Sequence, residues 1–167
     1  MADDGSDEAD WMACLSRRVI ELTFARQYDL AREAIESARQ KIASRNPHEL
    51  IALTAFVENR MGHTEESVEL MKQAVQERPD WLPHLYELSV YLMDMGRLAE
   101  ADLVLDQLIS LSELRNDPYF LSEAIFRKIL CLNALERQEE AAMHKRKLPP
   151  DTSVFIGNRL YTLADLS

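Results

Sequence analysis

The stretch RMGHTEESVELM at residues 60–71 and the stretch DMGRLAEADLVL at residues 94–105 decide how this chain folds. Met61-Gly62 and Met95-Gly96 stand 34 residues apart. At that offset Ile51 falls on Leu85, Ala55 on Ser89, Glu66 on Glu100, Ser67 on Ala101 and Met71 on Leu105. Small residues meet small ones, and apolar residues mostly meet apolar ones. A fixed period of this length marks a stacked array of one supersecondary unit.

Each copy reads as two helices. Leu85, Leu88, Ser89 and Leu92 follow the i, i+3, i+4, i+7 spacing of a helix face. Gly96 then interrupts, at a place where a left-handed residue is cheap only for glycine. Leu98, Ala101, Leu105, Leu108 and Ile109 resume the same period. Small residues at 55, 89 and 101 let helix backbones approach closely. Composition agrees: 167 residues with 47% hydrophobic content, only 4 Gly and 6 Pro favour long helices over a many-turned β fold.

The pattern resembles the tetratricopeptide repeat, a 34-residue helix pair with a small residue at its eighth place, Gly before the turn, Ala at its twentieth place and Pro at its end. Pro79 supplies that end for the second copy. The first copy is similar from about Met12, with Leu15, Val19 and Leu22 followed by Tyr28 and Ala31; the fourth is similar from about Ser122, with Ile125, Ile129, Leu132 and then Ala141. Departures are visible. Thr54 and Glu58 stand where the family has apolar residues, so Leu50, Leu53 and Val57 would form the core stripe of a rotated helix. SELRNDPYF inserts before the fourth copy, where Asp117-Pro118 reads as an N-cap followed by a first-turn proline, as does Asn46-Pro47.

The resemblance implies an all-α fold: a right-handed superhelical solenoid of about four antiparallel helix pairs, with turns near residues 27, 62, 96 and 136. The expected layout is an acidic disordered arm at 1–10, a repeat domain at 11–148 and a non-repeat segment at 149–167. The repeats would run at about 12–45, 48–81, 82–115 and 122–148. A lone helix pair cannot bury its apolar face, so stacked copies share a core.

The family holds a peptide or helix of another protein in the groove lined by its first helices. Carried over by place, the expected partner-binding residues are Arg17, Phe24, Phe56, Asn59, Arg60, Tyr86, Phe126, Arg127 and Asn133. The aromatics would anchor apolar groups, and the arginines and asparagines would donate to carbonyls or carboxylates. The competing reading makes the aromatics core filler and pairs the arginines with Glu87, Asp94 or Glu123. The carboxylate clamp of chaperone-binding tetratricopeptide domains needs Lys and Asn where this chain has Ser16 and Ile20, which argues against that ligand.

KLPPDTSVFIGNRLYTLADLS at 147–167 breaks the repeat. Pro149-Pro150 stops a helix. TSVFI and RLYTL flank Gly157-Asn158, a hairpin pattern. Such a hairpin either caps the last repeat or offers a docking or dimerising edge, so a homo-oligomer through this segment stays open.

The net charge of −10 speaks against nucleic acid, and it favours a protein partner carrying Lys or Arg. No apolar run is long enough for a bilayer, and the acidic start does not resemble a signal peptide, so a cytoplasmic protein without membrane attachment is expected. Cys14 and Cys131 are far apart and form no CxxC pair, which fits a reducing compartment. No Gly-rich phosphate loop, GxSxG or HExxH occurs; His48-Glu49 lacks a second His at Ala52. No enzyme, metal or cofactor is therefore expected. The function read here is an adaptor or scaffold binding a peptide or helix; the alternative is a dedicated chaperone that sequesters one client, as in secretion systems.

Overall fold

One backbone hydrogen bond recurs at every helix turn inside a repeat. Gln27 N–H donates to Leu22 O at 2.9 Å, His63 to Glu58 O at 2.9 Å, Arg97 to Leu92 O at 2.8 Å and Arg137 to Leu132 O at 2.9 Å. In each case the residue just before the donor is left-handed: Arg26 (φ 59°), Gly62 (φ 90°), Gly96 (φ 72°) and Glu136 (φ 60°). This is the Schellman helix end, which satisfies carbonyls that the helix leaves open. Asn116 (φ 52°) repeats it, with Asp117 N–H donating to Ser112 O at 2.9 Å.

In the computed structural model, which describes residues 4–42, 47–156 and 159–166, the described residues form eight helices. They are α1 (Asp4–Phe24), α2 (Tyr28–Ile42), α3 (Pro47–Met61), α4 (Thr64–Glu77), α5 (Leu82–Asp94), α6 (Leu98–Arg115), α7 (Pro118–Ala134) and α8 (Gln138–Lys145). Strands β1 (Ser153–Ile156) and β2 (Arg159–Thr162) and a 3-10 turn (Leu163–Leu166) follow. The expected all-α repeat class, turn positions and short hairpin are observed.

The chain divides into two compact bodies, 1–79 and 80–167. In the N-terminal body α1 packs on α2, α3 on α4, and α3 also meets α1 and α2. Met12, Leu15, Val19, Ala31, Ile35, Ala38, Leu50 and Val57 form its core. In the C-terminal body α6 lies against both α5 and α7, and α7 against α8. Leu85, Leu92, Leu105, Leu108, Ile129 and Leu132 are fully enclosed there. Ala55, Ser67, Ser89 and Ala101 are entirely buried, as close helix approach requires.

Three local expectations meet different outcomes. Residues 4–10, expected in the disordered arm, lie within α1, which begins at Asp4. Asp117 caps α7 by accepting from Tyr119 N–H (3.1 Å) and Phe120 N–H (3.5 Å), with Pro118 in the first turn. The parallel Asn46-Pro47 cap and the Gly157-Asn158 turn involve positions outside the described residues. The insertion before the fourth repeat supplies the end of α6, which runs 18 residues to Arg115, and the first turn of α7 from Pro118.

In the hairpin, Val154 faces Tyr161 and Phe155 faces Leu160. Side chains alternate across a strand, so Val154 turns inward while Phe155 and Leu160 share the exposed face. Leu148, Val154 and Leu166 are buried, which gives this segment an inward side.

Candidate partner-binding surfaces

The N-terminal body brings three of the expected residues together. The rings of Phe24 on α1 and Phe56 on α3 meet edge-on with centroids 6.1 Å apart. The Arg60 guanidinium lies over the Phe24 ring at 4.8 Å. Phe24 is 62% exposed and Arg60 is exposed, while Phe56 is half-buried beneath them. The patch is fixed from below, because Tyr28 OH on α2 donates to Arg60 O at 3.1 Å. Asn59 is half-buried, and its Oδ1 lies 3.5 Å from Ser67 Oγ. Arg17 is exposed on α1.

One turn away, Glu58 explains itself. This carboxylate is only 3% exposed at a place where the family has an apolar side chain. Arg32 on α2 grips both of its oxygens, at 2.6 and 2.7 Å, and His63 Nδ1 stands 2.7 Å from the second. Burial pushes the Glu58 carboxyl up, yet the bonds from Arg32 and His63 outweigh it and hold it below its ordinary value. The hydrophobic job at this position passes to Leu50 and Val57, both buried, and Leu53, half-buried, as the rotated stripe predicts. Glu58, His63 and Glu66 bring ligand atoms within 4.8 Å of one another. Arg32 already engages both Glu58 oxygens, so the cluster reads as an ion-pair network.

The C-terminal body treats its expected residues differently. Phe126 has no exposed surface, so the expectation that it anchors a partner is corrected: it is core. The reason is its position on α7, a helix covered by α5, α6 and α8, where a large apolar ring gains most by full enclosure. Arg127 is 6% exposed and pairs internally, as the competing reading held for Glu123. Its Nη2 donates to Tyr86 OH at 2.8 Å and to Glu123 Oε1 at 3.3 Å, and Tyr86 OH donates to the same oxygen at 2.5 Å. Its guanidinium also lies 5.1 Å from the Tyr86 ring centre. Burial and the Glu123 bond raise the Tyr86 hydroxyl pKa well above normal. Glu87 sits beside this cluster, and burial raises its carboxyl pKa; Arg127 opposes the rise and Glu123 adds to it. Phe120 closes the corner 5.9 Å from Tyr86. Asn133 is half-buried near the end of α7.

A second buried network went unread in the sequence. Lys128, 2% exposed, pairs with Asp102 at 2.5 Å and with Asp106 at 2.7 Å, and Arg137 pairs with Asp102 at 2.6 Å. These bonds tie α6, α7 and the start of α8. The spacing of Asp102 and Asp106, one helical turn apart, was the available signal. Burial pushes the nearby Cys131 thiol up to about 11, so it is an inert core thiol.

The fold is a helical repeat of the tetratricopeptide type. Among solved structures, the chain is similar to a kinesin light chain from Podosopora anserina with nearly identical tetratricopeptide-like repeats (18% identity, TM-score 0.67, 81% of this chain and 72% of that one). It is also similar to MamA (12% identity, TM-score 0.63, 85% and 73%). A third likeness is PilW, a type IV pilus biogenesis factor (16% identity, TM-score 0.65), where 87% of this chain spans 61% of the other. No family model and no curated protein matches. At identities this low the likeness establishes the fold alone.

Proposed function

We propose that this protein is an interaction module that holds a peptide or helix of a partner protein on the first-helix face of its N-terminal body. The observation that carries this reading is the Phe24–Phe56–Arg60 patch: an exposed aromatic ring, a second ring beneath it and a guanidinium stacked on top. Aromatic and Arg side chains at the centre of a surface are the usual energetic anchors of protein recognition. Arg17 and Asn59, on the same two helices, would add donors at the rim. The overall charge of −10 supports a partner segment rich in Lys or Arg, and association should quicken at low salt. We read the module as cytoplasmic and non-enzymatic. Among the described residues no helix is long and apolar enough to cross a membrane, and both cysteines are free thiols.

The test uses a photo-crosslinking residue at Phe24 to identify the partner, followed by calorimetry. Arg60→Glu and Phe24→Ala should each weaken binding by about 2 kcal/mol without loss of helicity. Reversal at Glu69 or Lys72, an exposed pair 3.2 Å apart on α4, should change nothing. Capture lost on deletion of residues 151–167 but retained in Arg60→Glu would move the site to the hairpin. One client recovered in fixed stoichiometry would favour the chaperone role over the adaptor.

A further inference from the structure

Phe24 and Arg60 hold the same place in successive repeats. Each stands just beyond the residue whose carbonyl accepts the helix-end bond, Leu22 O for Phe24 and Glu58 O for Arg60. At that place the third and fourth copies carry Asp94 and Ala134, so the stack of guanidinium on ring belongs to the N-terminal body. Both members of the stack are exposed. At an exposed site a cation–π contact is too weak to immobilise a rotamer-rich arginine by itself. The turn that carries Arg60 is held from elsewhere.

That hold comes from α2. Tyr28 and Arg32 stand one helical turn apart on α2 and reach the same turn of α3. In that turn the Glu58 carbonyl takes His63 N–H and the Asn59 carbonyl takes Gly62 N–H. The Arg60 carbonyl, one of the acceptors that a helix end leaves open, takes the Tyr28 hydroxyl at 3.1 Å. The Tyr28 ring packs against the core of the body, so its hydroxyl starts from a fixed position. Just before Arg60, the Arg32 fork grips both oxygens of the buried Glu58 carboxylate, and the His63 ring closes on the second. A buried ion pair contributes little net stability that a well-packed apolar side chain could not supply. Its distinctive property is direction: the fork fixes the carboxylate, and with it the backbone from which Glu58 springs.

We infer that Tyr28 and Arg32 are positioning residues: from the second helix of the first repeat they fix the end of α3 so that the Arg60 guanidinium stays over the Phe24 ring. The consequence for binding rests on the reading of this patch as a recognition face, because a contact residue already held in place lowers the ordering cost of association. The positioning itself requires no partner.

Nuclear magnetic resonance on the full chain, without a partner, tests it. The ring current of Phe24 should move the Arg60 side-chain protons upfield, and Phe24→Leu should return them, which assigns the shift. Tyr28→Phe deletes one hydroxyl and keeps the ring in the core, so it should remove most of the upfield shift while helicity is retained. Arg32→Lys keeps the charge but loses the fork, and should reduce the shift in the same direction. Ile35→Val changes the core on the same helix; it should lower stability and leave the shift in place. Wild-type protein without an upfield shift overturns the inference. So does a shift that survives both Tyr28→Phe and Arg32→Lys, or one that Ile35→Val removes equally, because general loosening would then be the cause. With the segment cross-linked at Phe24 as the probe, Tyr28→Phe should weaken binding about two- to tenfold. If no segment is captured, the recognition reading fails, and the resonance result still decides the positioning.

Discussion

Phe24 and Phe126 were both expected to anchor a partner, and they ended in opposite environments. Phe24 stands 62% exposed under an arginine, while Phe126 has no exposed surface. The same holds for Arg60, exposed, and Arg127, enclosed between Tyr86 and Glu123. A family register identifies the helix face on which a residue lies. It does not give depth, which also depends on where along the helix the residue falls. Phe126 and Arg127 stand in the middle of α7, among α5, α6 and α8, and become structure. Phe24 and Arg60 stand in the last turns of α1 and α3, where less of the side chain is covered.

The strongest way to break this contrast is truncation. Phe126→Ala should destabilise the protein by about 3–5 kcal/mol, read from chemical denaturation, because it leaves a cavity in a closed core. Phe24→Ala should stay within about 0.5 kcal/mol of wild type. Equal effects would place both rings at the same depth.

A pair of carboxylates extends the contrast to pH. Glu58 is held below its ordinary pKa, so its stabilisation is complete above the unfolded carboxyl value and disappears as pH falls through the folded one. Glu58→Gln should therefore cost about 1–3 kcal/mol at pH 7, with Arg32 and His63 left facing a neutral amide. The cost should shrink in acid. Glu87 is raised, which reverses the sign: its ionised form is penalised by burial, and stability is gained as pH drops through its folded pKa toward the unfolded one. Glu87→Gln should raise the melting temperature at pH 7, with the gain vanishing in acid. Parallel pH profiles for the two variants would contradict the opposite burial balances.

The smallest effect belongs to the turns. Arg26 and Glu136 adopt the left-handed conformation that Gly62 and Gly96 adopt freely. Arg26→Gly and Glu136→Gly should each stabilise by up to about 1 kcal/mol, and Gly96→Ala should destabilise by a similar amount. The space around Gly96 is open, so backbone strain is the sole cost there.

Much of the fold was legible because helix periodicity and the 34-residue offset are local signals. Leu85 through Ile109 announce two helices and the break between them, and the structure places them so. The β-prone runs TSVFI and RLYTL around Gly157-Asn158 likewise announce a hairpin. What stayed hidden depends on contacts distant in sequence. Arg32 and Glu58 lie 26 residues apart, and neither residue names the other. Lys128 reads as a solvated helix position until α6 supplies Asp102 and Asp106. In the candidate site, Phe24, Phe56 and Arg60 converge because α1 and α3 are adjacent first helices, the relation a repeat fixes in advance. Phe126 was misread because exposure on α7 depends on α5, α6 and α8 together.

The turn bond from each donor to the carbonyl five residues earlier joins main chain to main chain. No side chain is written into it: Gly, Arg and Glu all occupy its left-handed position. An architecture punctuated this way can exchange most of its letters and keep its metre. A comparison keyed to letters then loses the chain, while one keyed to geometry keeps it, as a TM-score of 0.63 at 12% identity illustrates.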